Sequence, residues 1–79
     1  IIDSMGWVLF KLGRIEEAIT HLQKAYEQFP DPEVAAHLGE VLWVNGKKTE
    51  AKGILRENLE NNPDAEEVLD TLRRLNITL

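Results

Sequence analysis

The 79-residue chain has no cysteine, three prolines and five glycines, and Phe, Trp and Tyr make up only 6% of it. Without cysteine there is no disulfide framework and no thiolate metal centre, and nothing marks the redox compartment. Positive charge is also scarce. Nine Lys and Arg stand against fourteen Asp and Glu, a formal charge of −5. The adjacent basic pairs Lys47-Lys48 and Arg73-Arg74 are too short to form the patch that a phosphate backbone requires, so no nucleic-acid partner is expected. No apolar run approaches the roughly 18 residues of a membrane span, and no signal-peptide pattern is present. The chain opens Ile1-Ile2-Asp3 without methionine. It is therefore expected to be part of something longer, with any targeting segment upstream.

Catalytic constellations are missing too. His21 and His37 fall on different predicted helices with no further ligand at metal spacing. Ser4 has no evident base. The acids at Glu16-Glu17, Glu57/Glu60 and Glu66-Glu67 have the spacing of solvated helix faces. The glycines do not form a phosphate loop. The expectation is a non-catalytic protein without metal or cofactor.

What is present is an internal repeat. At a lag of 33 residues, Gly6 falls on Gly39, Val8 on Val41, Leu9 on Leu42 and Gly13 on Gly46. Glu17 falls on Glu50, Ala18 on Ala51, Leu22 on Leu55, Glu27 on Glu60, and Pro30-Asp31 on Pro63-Asp64. Glycine, alanine and proline do not coincide at one lag by chance.

A period of 3.6 within each unit predicts two helices. In the first, Ile2, Met5, Leu9 and Leu12 share a stripe that Gly13 ends as a left-handed terminator. Ile15, Ala18, Ile19, Leu22, Ala25, Tyr26 and Phe29 make the second stripe, stopped by Pro30. Asp31-Pro32-Glu33 reads as a helix start: a carboxylate cap, proline in the first turn and a further acid at the positive dipole end. Val34, Leu38, Val41, Leu42 and Val44 carry the third helix to Asn45-Gly46. The fourth runs roughly from Lys48 to Asn61 with Ala51, Ile54, Leu55 and Leu59 inside. Asp64 with Glu67 reads as a capping box for a fifth, whose apolar face is Val68, Leu69, Leu72 and Leu75. Gly6, Gly39, Ala18 and Ala51 mark the places where helices approach closely.

These residues resemble the tetratricopeptide repeat, a helix–turn–helix of 34 residues. The first unit matches its pattern at Met5-Gly6, Leu9, Gly13, Ala18, Leu22, Ala25 and Pro30. The second matches at Leu38-Gly39, Leu42, Gly46, Ala51, Leu55 and Pro63, with Asn58 where alanine is usual. Ankyrin repeats share the 33-residue period, but their Thr-Pro-Leu-His stretch is absent. The shortened lag fits a tight Pro30-Asp31-Pro32 junction. The resemblance implies an all-α solenoid of five helices in a single domain, 1–79, with one repeat over 1–31, a second over 32–63 and a capping helix over 64–76. Besides Asn58, two further departures stand out. The bulky first position of each repeat holds Ile2 and Ala35, and the fifth helix has Thr71-Leu72 in place of Leu-Gly. Asp70, Arg73 and Arg74 are expected on its outer, solvated side, as in the helix that ends such arrays.

The resemblance also implies a partner-binding concave face built from the first helix of each repeat. It maps onto Asp3, Trp7, Phe10 and Lys11, then Glu33, Ala36, Glu40, Trp43 and Val44, with Leu69 and Arg73 from the fifth helix. Trp7 is the expected anchor, since tryptophan is enriched at interface hot spots. Phe10 and Trp43, equivalent across the repeat, are expected mainly to pack. Family members that hold C-terminal carboxylates of chaperones use Lys and Asn at first-helix positions that here carry Asp3 with Trp7 and Ala36 with Glu40, so an apolar or mildly basic segment suits this face better. The expected function is an adaptor or scaffold binding a protein or peptide. The alternatives are a self-associating unit, dimerising through an uncovered apolar end made of Ile1, Ile2, Met5, Leu9 and Leu12, and an accessory segment of a larger enzyme. The stretches Asp3–Leu9 and Asp31–Trp43 further resemble the end of bacterial tetratricopeptide proteins of the cell envelope, some of them lipoproteins that recruit a processing protease. That implies the periplasmic side, the alternative being the cytoplasm.

Overall fold

A computed structural model describes residues 4–79. The expectations placed on Ile1, Ile2 and Asp3 lie outside the described residues. Five helices and, among the described residues, no strand follow one another: α1 (Ser4–Lys11), α2 (Ile15–Gln28), α3 (Pro32–Val44), α4 (Lys48–Asn61) and α5 (Glu66–Leu75). This is the all-α, repeat-built architecture expected from the periodicity.

The repeat is visible in the hydrogen bonds of the turns. Gly13 and Gly46 both sit in the left-handed region, at φ +83° and +84°. Past them, the Arg14 amide donates to the Leu9 carbonyl at 2.8 Å, and the Lys47 amide donates to the Leu42 carbonyl at 2.9 Å. A side chain at either glycine would strain this backbone, so the glycines fix where α1 and α3 stop. α5 closes in the same manner with Asn76 (φ 58°) in the left-handed position and the Ile77 amide donating to the Leu72 carbonyl. Asp31 caps α3, its carboxylate accepting from the Glu33 amide at 2.8 Å, with Pro32 in the first turn. The capping box expected at Asp64 and Glu67 does not form. Ala65 is the cap residue, without a side-chain bond, and it is buried in the core, which sets Asp64 one position too early to reach the helix amides.

Each helix packs on its neighbour in sequence, and α3 also packs on α5, so α3 is the centre of the molecule. Its residues Leu38, Val41 and Leu42 are fully buried with Leu22 of α2, Leu55 of α4 and Val68 of α5. Two helix pairs meet at a glycine. A Cβ on Gly6 would lie 2.7 Å from Leu22 Cγ, and one on Gly39 would lie 2.6 Å from Leu55 Cδ2, too close for any methyl. Ala18 and Ala51, both fully buried, keep the same junctions narrow.

Asn58 stands where the family pattern has alanine, and the structure gives it a specific partner. It is buried, and its Nδ2 donates to the Pro30 carbonyl at 3.0 Å, tying the α2–α3 connection to α4. The buried polar group is satisfied, so its desolvation is offset. Nearby, the Tyr26 hydroxyl donates to Glu57 Oε1 at 2.8 Å and links α2 to α4.

Three expected stripe residues are not inside. Phe29 is the cap residue past the end of α2 and lies exposed, because the chain leaves the helix axis there. Met5 and Leu12 are 56% and 67% exposed. They form, with Val8, a stripe on α1 that faces away from α2, whereas Leu9 points into the core and is not part of the uncovered end.

Candidate functional site

Side chains link α1 to α3 and α3 to α5. Two sets of contacts join them. Trp7 of α1 stacks on the His37 ring of α3, with ring centres 4.1 Å apart and planes 13° from parallel. Phe10 tilts against Trp7, with ring centres 5.1 Å apart, and Lys11 Nζ lies 5.1 Å from the Trp7 ring centre. Trp7 and Phe10 are half-buried against the core. Trp7 thus combines packing with partial exposure, and it is preorganised by its stack and by the cation near its ring.

The second set is ionic. Arg74 of α5 reaches Glu40 of α3 with two nitrogens, at 2.9 and 3.2 Å, and its Nε donates to Asp70 at 3.4 Å. The Glu40 side chain is only 13% exposed. Glu40, through its hydrogen bonds and its charge, is the main reason that the Arg74 guanidinium holds its proton above the ordinary arginine range, and Asp70 adds to it. Arg74 and Asp70 therefore do not belong to a purely solvated outer side. The fork geometry of the guanidinium pulls Arg74 across onto α3, where it finds a carboxylate with little water around it. Glu40, expected as a free acid of the binding face, is neutralised by this pair.

Between α3 and α5 lies a recess of about 380 Å³. Glu33, Ala36 and His37 line it from α3, and Glu67, Asp70, Thr71 and Arg74 from α5. Ala36, expected on the accessible face, is 4% exposed and contributes to the wall of this recess. Its small size leaves the space open. His37 belongs both to the recess and to the Trp7 stack, so the two features are continuous. Thr71 is buried, with its hydroxyl donating to the Glu67 carbonyl at 2.9 Å.

The residues expected on the concave face are thus distributed over three places. Phe10 and Lys11 gather around Trp7, which stacks on His37, and Glu33, Ala36 and Glu40 lie toward α5. Trp43 is separate, half-buried with Lys48 Nζ 4.9 Å from its ring centre, and Val44 is exposed at the end of α3. Leu69 is half-buried, and Arg73 lies on the surface near Glu66 and Asp70, each at 3.9 Å. The contributions of His37, Glu67, Asp70, Thr71 and Arg74 were not anticipated. A signal existed: from α3 to α5 the useful lag is 34, which pairs Glu33 with Glu67, His37 with Thr71 and Glu40 with Arg74. Among the described residues, no group of three His, Asp or Glu is arranged to hold a metal ion, and no helix is long and apolar enough to cross a membrane.

The family model described as tetratricopeptide repeat matches residues 9–75 of the chain. One curated relative is the TPR repeat-containing protein PA4667 of Pseudomonas aeruginosa (strain PAO1). It is 50% identical over 40 residues, which cover 51% of this chain and 7% of that protein. Such repeats generally mediate protein–protein interaction and act as non-catalytic modules. With two glycine-terminated helical pairs, narrow glycine–leucine junctions and a match across most of its length, the chain belongs to the tetratricopeptide-repeat family.

Proposed function

We propose that the chain is an interaction module that takes a peptide, or an extended segment of a partner protein, on the face formed by α1, α3 and α5. One observation carries this reading: His37 lines the recess between α3 and α5 and stacks on Trp7, so an open space adjoins a preorganised aromatic pair. A rigid aromatic anchor beside a space for side chains is how few residues supply most of a binding energy. Peptides selected from a random display library against the chain test it. Binders are expected to shift the amide resonances of α3 and α5 and to lose about tenfold or more in affinity in Trp7→Ala. The circular dichroism of the variant should stay helical. Binders that perturb only α2 and α4 overturn the proposal.

The finer reading is an adaptor or scaffold in a longer repeat array of a bacterial cell-envelope protein, facing the periplasm. Its support is the resemblance of the Asp3–Leu9 and Asp31–Trp43 stretches to such proteins, together with the similarity to a bacterial repeat protein of much greater length. Fractionation of the full-length product, with a cytoplasmic marker alongside, tests the location. A second reading, self-association, has its own observation: Met5, Val8 and Leu12 form an exposed apolar stripe on α1. The chemistry of that stripe fits a second copy of the chain meeting it face to face.

A further inference from the structure

We infer that the recess between α3 and α5 is a subsite for one cationic side chain, a lysine or arginine carried by the bound segment. This rests on the proposed interaction face and names what that face selects.

Charge and space lead to the same occupant. The recess is lined by three acids, Glu33, Glu67 and Asp70, and by one arginine, Arg74; Asp70 lies near both Arg74 and Arg73, which leaves Glu33 and Glu67 as the excess. Arg74 is already committed. Two of its nitrogens go to Glu40 and its Nε to Asp70, so it has little left to offer an incoming anion. The carboxylates of Glu33 and Glu67 have no ion pair among the described residues, and both side chains are exposed on the recess. Their position in the first turns of α3 and α5 favours the helices, which accounts for an acid on each helix. Glu33 and Glu67 are equivalent across the 34-residue lag, so the packing of α5 on α3 brings both acids to one recess. An anionic side chain placed there meets like charge and a neutral one gains nothing from it, whereas a cation completes it. The volume of about 380 Å³ is ample for a long basic side chain and part of its backbone. The small Ala36 gives the methylene stem an apolar wall beside the His37 ring, in the manner of basic side chains that bury their stems and present their heads to acids.

The experiment uses the 79-residue chain and three blocked five-residue alanine peptides with arginine, glutamine or glutamate at the centre. Amide shifts are followed by NMR to saturation at low salt, with circular dichroism as the control for folding. The arginine peptide is expected to shift Glu33, His37, Asp70 and Thr71 saturably and to bind at least about fivefold more tightly than the glutamine peptide. The pair E33Q/E67Q is expected to remove that advantage. The pair E27Q/E60Q, which changes the net charge equally but lies on α2 and α4, is expected to preserve it.

Equal binding of the arginine and glutamine peptides in the recess overturns the subsite and leaves the interaction face intact. So does equal weakening by the two charge pairs, which marks general attraction to an acidic protein. The absence of saturable binding by the arginine peptide also overturns the subsite. Saturable shifts confined to α2 and α4 overturn the subsite and the proposed face together.

Discussion

A methyl group at Gly39 and one at Gly53 are the same chemical change with opposite consequences. In both helices alanine is intrinsically better than glycine by about 1 kcal/mol. Around Gly53 nothing lies within 4 Å of an added Cβ, so Gly53→Ala should raise stability by about 0.5–1 kcal/mol. At Gly39 the Cβ would stand 2.6–3.0 Å from three atoms of Leu55, including Cγ, which is not a free end that can swing away. Leu55 is fully buried, so α3 and α4 must separate, and Gly39→Ala should lose about 1–3 kcal/mol. Thermal unfolding of the two variants checks both signs at once. That a glycine marks a close approach was legible from its recurrence at Gly6 and Gly39. That Gly53 has no such role was legible from its lack of a repeat partner. What the sequence could not show was polar pairing across 28 or 31 residues. Asn58 with Pro30 and Tyr26 with Glu57 depend on how α4 lies against α2, not on any local pattern.

Tyr26 gives this residue scale a pH dependence. Burial first, and then its hydrogen bond to Glu57, raise the Tyr26 pKa above the ordinary 10.0. The folded state thus holds the phenolic proton more tightly than the unfolded chain does. Its contribution is complete below about pH 10 and is lost as pH rises through the higher folded-state value. Tyr26→Phe should lose about 1 kcal/mol near neutrality, the ordinary net worth of such a bond. It should also show a shallower fall in stability above about pH 10 than the parent chain, read by urea unfolding at a series of alkaline pH values.

At the scale of elements, α5 is the helix whose placement the pattern described least well. Its apolar residues were evident, but its start and its charged side were not. Buried Ala65 moves the cap away from Asp64, and Arg74 turns onto α3 because Glu40 offers two oxygens in a sheltered position. Spacing within a helix says nothing of a partner 34 residues away on another helix. The Glu40–Arg74 pair should nonetheless be modest in energy, because the Arg74 side chain is about half exposed and screened by water. A double-mutant cycle with Glu40→Gln and Arg74→Gln should give a coupling of about 0.5–1 kcal/mol, falling in 1 M salt. A coupling near zero would mean that apolar packing of Val68, Leu72 and Leu75 holds α5 in place without the ion pair. The cap of α3 is local and simpler. Asp31→Ala should cost about 1 kcal/mol, since the Glu33 amide loses its acceptor.

For the whole molecule, the repeat itself says what kind of surface α1 presents. Met5 and Val8 are equivalent to Leu38 and Val41 across the 33-residue lag. In α3 those two positions are 1% and 0% exposed, sealed within the stack of helices, whereas on α1 Met5 and Val8 are 56% and 51% exposed. The same chemistry is covered at one level of the array and open at the other. An apolar stripe of three large side chains on so small a protein favours association, and the isolated 79-residue chain should dimerise with rising concentration through α1. Replacing Val8 by lysine adds a charge at the middle of the stripe without entering the core, because that side chain is half in solvent already. Val8→Lys should therefore remain folded and sediment as a monomer at concentrations where the parent chain is dimeric. A parent chain that stays monomeric at every concentration contradicts self-association. A Val8→Lys variant that still dimerises removes α1 from the interface, and the same measurement on Trp7→Ala would then show whether the binding face is what pairs.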